Sequence, residues 1–119
     1  MKSENFDPES LLHRVDGDLE LLRELEELFT TQVPRMLARI EEAIKNESPS
    51  ELEKAGHKVK GTVLQFSAQA AAAAALQLED MGRLGSTSGA EAVLENLIHE
   101  INLVQRALRA MLNGEGFQG

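Results

Sequence analysis

The chain has 119 residues, 42% hydrophobic and 27% charged, which fits one folded domain rather than two domains or a disordered tail. It contains no Cys, which excludes disulfide frameworks, thiol nucleophiles, iron–sulfur clusters and Cys-ligated zinc. With 12 Lys and Arg against 20 Asp and Glu, the formal charge is -8, and four Phe with no Trp or Tyr leave neither a basic footprint nor a stacking platform for nucleic acid.

Helical periodicity runs through the chain and no alternating strand pattern interrupts it, so the fold class is all-α. Asp7-Pro8 reads as a cap followed by Pro at the first helical position, opening a short helix through Leu11, Leu12 and Val15 that Asp16-Gly17-Asp18 stops. Leu21, Leu22, Leu25, Leu28, Phe29, Val33, Leu37, Ile40 and Ile44 then mark one face of a long helix, which Pro34 is expected to kink or briefly break. Ser48-Pro49 is a second cap-plus-proline start, and Leu52, Ala55, Val59, Val63 and Phe66 recur behind it at helical spacing.

A turn near Ser67 to Gln69 separates this helix from the next, which carries Ala70 to Ala75, Leu76, Leu78 and Met81 and whose small residues permit close helix contact. Gly82, Gly85, Ser86, Thr87, Ser88 and Gly89 read as one flexible break. Val93, Leu97, Ile101, Val104, Leu108 and Met111 trace a last amphipathic helix, and Gly114 to Gly119 reads as a frayed end. The expected architecture is an up-down antiparallel four-helix bundle with a short additional N-terminal helix covering one end, forming a single domain over 1–119 with its core from about 7 to 113. Met1 to Pro8 lacks the apolar stretch of a secretion signal, and the uncharged run from Gly61 to Leu78 is mostly Ala interrupted by polar residues. A span needs about 20 predominantly apolar residues, so a soluble, cytoplasmic, monomeric chain is expected.

The third helix carries the constellation that points to chemistry. At about 100° per residue, His57 lies roughly 140° from the centre of the apolar face, so its ring is directed to solvent. Lys60 at i+3 and Gly61 at i+4 share its side of the helix, with Lys54 and Lys58 further round and Leu64 exposed at i+7. These ammonium groups form a local cationic cluster on an acidic protein, suited to meeting an anion. Gly56 and Gly61 are odd choices, because Gly in a helix interior costs roughly 1 kcal/mol relative to Ala. Gly61 would let another molecule's backbone approach the ring, and Gly56 would relieve packing against a neighbouring helix. Glu79 lies about as far beyond the expected turn as His57 lies before it, so at about 1.5 Å rise per residue the two fall at similar heights on antiparallel neighbours.

The run His57, Lys58, Val59, Lys60, Gly61, followed by Thr62, Phe66, Ser67 and Ala68, resembles the histidine-containing phosphotransfer (Hpt) domain, over nearly the whole chain. Gly56 stands where that family usually has Ala, Val59 where it has Leu, and Ser67 where it has Gly. The resemblance implies that His57 accepts a phosphoryl group on a ring nitrogen, Nε2, from a receiver phospho-aspartate or a kinase phosphohistidine and passes it on to a receiver aspartate. It implies that Lys60 offsets charge on the moving phosphoryl group, and that Glu79, on the next helix, orients the ring through Nδ1. Gly61, Lys58, Lys54 and Leu64 would belong to the receiver docking surface. The implied partners are response-regulator receiver domains and a sensor histidine kinase, of which the chain would be a free-standing shuttle or a module. There is no ATP-binding fingerprint, no cofactor is expected on this chain, and Mg²⁺ is expected from the partner receiver. Such a chain is a phosphorylated intermediate rather than an independent enzyme.

Rival readings are weaker in the sequence. His13, His57 and His99 each follow a glutamate by four positions, whereas di-iron bundles place Glu and His three apart. Histidine-kinase dimerisation domains place an acidic residue after the histidine, where Lys58 stands. The alternative from another class is a helical adaptor that docks receiver or kinase domains without phosphorylation.

Overall fold

The computed structural model describes His13 and residues 18–113, which contain four helices and no strand: α1 (Leu19–Lys45), α2 (Pro49–Leu64), α3 (Gln69–Arg83) and α4 (Ala90–Leu112). The short opening helix expected from Asp7 to Val15, apart from an exposed, helical His13, and the tail from Gly114 to Gly119 lie outside the described residues. Each helix starts and stops for local reasons. The Asp18 carboxylate accepts from the backbone N–H groups of Glu20 and Leu21 at 3.0 and 3.1 Å, and Ser48 Oγ accepts from Glu51 N–H at 3.4 Å with Pro49 as the first residue of α2.

Three helix ends close in the same way. The N–H of Ser48 reaches Ala43, that of Ala68 reaches Val63 and that of Ser86 reaches Met81, each across a residue with positive φ: Glu47, Ser67 and Gly85 respectively. Ser67, at φ 57°, thus takes the left-handed position in which Gly would carry no Cβ penalty, and α2 ends there all the same.

Pro34 does not break α1, which continues through it to Lys45. Pro34 is exposed, while Phe29 and Val33 before it and Ile40 and Ala43 after it are buried on one face, so tertiary packing holds both halves of the helix against the core. Leu21 and Leu28, assigned to that face by the sequence, are 38% and 42% exposed. Each sits one residue, about 100°, before a buried Leu22 or Phe29.

The core runs from Leu22, Phe29, Val33 and Ile40 through Leu52, Val59, Val63 and Leu78 to Leu97, Ile101, Val104 and Leu108. Phe29 and Phe66 meet edge to face, with ring centroids 4.8 Å apart, and join α1 to the α2–α3 turn. The backbones of α2 and α3 approach closely at two glycines. A Cβ on Gly56 would stand 2.8 Å from the backbone nitrogen of Glu79 and 3.1 Å from the carbonyl of Ala75. A Cβ on Gly82 would stand 2.5 Å from the backbone nitrogen of Glu53 and press on the Pro49 carbonyl. Gly82 therefore is not part of the flexible break: it is buried inside α3, where no side chain fits.

Candidate functional site

The site grows out of that glycine contact. With no side chain on Gly56, the α3 backbone at Ala75 to Glu79 comes directly onto α2, beside the next residue, His57. His57 points away from Leu52, Val59 and Val63, and its side chain is 69% exposed. Glu79 Oε2 lies 3.1 Å from His57 Nδ1, and the other carboxylate oxygen, Oε1, lies 2.8 Å from Lys60 Nζ. One carboxylate, only 17% exposed, bridges the ring and the ammonium. The Lys60 ammonium foremost, with His57 adding to it, holds the Glu79 carboxyl below the ordinary value of 4.5, against the opposing push of partial burial.

An ionised carboxylate only accepts hydrogen bonds, so the proton of a neutral His57 ring sits on Nδ1 and the Nε2 lone pair is left facing solvent. Among the described residues Nε2 has no hydrogen-bond partner. Chemically this is an exposed, tautomer-fixed nitrogen nucleophile on a rigid helix, able to attack an electrophile carried by another molecule.

The other residues singled out in the sequence fall around it. Gly61 is exposed, and a Cβ there would meet nothing within 4 Å, so the chain's own packing does not require glycine. Leu64 is 42% exposed, and Lys54 and Lys58 are exposed on the side towards α1. Sequence reasoning missed three features: Lys60 and His57 share one carboxylate, Leu76 is 41% exposed one turn before Glu79, and Arg35 and Arg39 of α1 line the same groove as Lys54 and Lys58. The sequence carries a signal for the arginine pair itself, two arginines four apart in the half of the long helix beyond its acidic start, but none for its place opposite Lys54 and Lys58. His13 and His99 are exposed. No group of three or more His, Cys, Asp or Glu able to hold a metal occurs among the described residues.

A family model for the Hpt domain matches residues 20–113, well over half of the chain. Neither the curated proteins nor the solved structures returned a match.

Proposed function

The chain belongs to the Hpt domain family, the family of histidine phosphotransfer in two-component signalling, and on that premise we propose that His57 is the phosphoryl acceptor of a phosphorelay. The observation that carries the reading is the contact of Glu79 with Nδ1, which leaves Nε2 as the free nucleophile on an open helix face. Nε2 attacks the phosphorus of a receiver phospho-aspartate, forming the N–P bond as the acyl phosphate P–O bond breaks and the aspartate carboxylate leaves with the electron pair. The ring proton stays on Nδ1, against Glu79, which offsets the positive charge the ring gains. The reverse displacement delivers the group to a second receiver aspartate, and a kinase phosphohistidine serves equally as donor.

Lys60, held at the ring's edge by Glu79, offsets charge on the equatorial oxygens in transfer. Mg²⁺ is placed on the receiver, and Gly61, Lys54, Lys58 and Leu64 form the surface the receiver meets. The opposed numbering of the contacts, Glu26 with Arg109 and Thr30 with Gln105, Gly56 with Glu79 and Gly82 with Glu53, supports an up-down antiparallel bundle. Among the described residues no helix is long and apolar enough to cross a membrane. We place the module in the cytoplasm, acting as a monomer between receivers and a sensor kinase.

Incubation with phosphorylated receiver domains tests the reading. Wild type takes up acid-labile, alkali-stable label, His57→Gln takes up none, and Lys60→Ala takes it up about ten- to a hundredfold more slowly. Label that persists in His57→Gln rejects the assignment, and absence of label on wild type with every receiver leaves a docking adaptor in its place.

A further inference from the structure

By the helix step of about 100° per residue, Glu53 and Lys60 lie on one flank of His57 and Lys54 and Lys58 on the other. The first flank neutralises itself: Lys60 pairs with Glu79, and Arg83 pairs with Asp80. The second flank does not. There α1 and α2 enclose an open groove of about 550 Å³, floored by Met36 and Ala55 and walled by Arg35, Arg39, Lys54 and Lys58. Among the described residues, the groove sets against these four cations only the carboxylates of Glu42 and Glu51. None of the four has an ion-pair partner among the described residues. In a chain of formal charge -8, this leaves a local cationic excess directly beside the exposed histidine.

We infer that this groove seats an acidic segment of the receiver partner, so that the partner lies over the α1–α2 flank of His57 and not over the α2–α3 flank. The identity of the partner rests on the phosphotransfer reading; the groove and its charge do not. An acidic partner is repelled by most of this surface and attracted here, which orients it in the encounter and raises its association rate. Lys54 and Lys58 lie within one helical turn of His57, so a segment seated on them brings its parent domain over Nε2. The gap at Gly61 falls between His57 and these lysines on the wheel, on the path of that approach.

The test separates docking from chemistry. Isolated receiver domains of the source organism are titrated against the His57→Gln chain, which cannot be phosphorylated at the proposed position. In that background, Arg35→Glu with Arg39→Glu weakens binding of the best receiver at least tenfold, and added salt narrows the difference. Arg106→Glu, on the exposed side of α4, leaves binding unchanged. With His57 restored, the doubly reversed chain needs at least tenfold more phosphorylated receiver to reach half its maximal labelling rate. Thermal melts check that the variants fold, and Arg35→Gln with Arg39→Gln, expected to weaken binding about threefold, serves if charge reversal does not. Unchanged affinity in the groove variants, or no binding by any receiver, overturns the proposal. A receiver that binds through the groove yet never labels His57 upholds the docking site and overturns the phosphotransfer reading.

Discussion

Glu79 shows how one side chain sets the state of two others. Its oxygens divide between His57 Nδ1 and Lys60 Nζ, so the tautomer of the ring and the position of the ammonium depend on one ionised carboxylate. Because its carboxyl is held below the ordinary 4.5, the folded state binds that proton more weakly than the unfolded chain does. Ionised Glu79 therefore stabilises the fold fully above pH 4.5, and the contribution fades as pH falls through the lowered value. Glu79→Gln is expected to melt below wild type at pH 7, with the gap closing as pH drops below 4.5. A gap that stays constant over melts taken from pH 7 to pH 3 would show that the ion pair contributes nothing. His57 was legible as a solvent-facing residue from the helix wheel alone, and Glu79 as its neighbour from counting residues across the turn. That Lys60 is held by the same carboxylate was not legible, because lateral reach between two helices depends on how closely their axes approach.

At the scale of the element, that approach is fixed by glycines which look alike in sequence and do different things. Gly56 and Gly82 admit the backbone of the opposite helix, α3 and α2 respectively, whereas Gly61 faces open space. Alanine gains about 1 kcal/mol of helix propensity at each position, but overpacking costs typically 1–3 kcal/mol where there is no room. Gly82→Ala, which must displace the backbone at Pro49 and Glu53, is expected to lower Tm by several degrees, at about 4–8 °C per kcal/mol for a domain near this size. Gly61→Ala should raise Tm by a few degrees, as the propensity gain is unopposed. Equal shifts of the same sign in thermal melts would refute the distinction. Gly56 stood out in the sequence as a glycine in a helix that elsewhere had Ala available. Gly82 did not, because Gly85, Ser86 and Gly89 follow closely and the cluster reads as loop. Only the register of α3 against Pro49 and Glu53 identifies it as a close helix contact.

Across the whole molecule, a single apolar core holds the flanks of His57 in place. Phe66 is fully buried at the α2–α3 turn, edge-on to Phe29 of α1. Phe66→Ala is expected to cost about 3–5 kcal/mol, read as a loss of midpoint in urea unfolding. A cost below about 1 kcal/mol would mean that the turn is not tied to the core as described. By itself the sequence determined the helical class, the cap at Ser48, most of each buried face and the outward direction of His57. These follow from spacing within one helix, where 3.6 residues per turn leaves little freedom. Tertiary structure decided that α1 runs unbroken through Pro34, that Gly82 belongs to a helix, that one carboxylate serves both Lys60 and His57, and that Arg35 and Arg39 stand across a groove from Lys54 and Lys58. Each of these depends on the distance and register between separate helices, which packing of the whole core sets and no local pattern encodes.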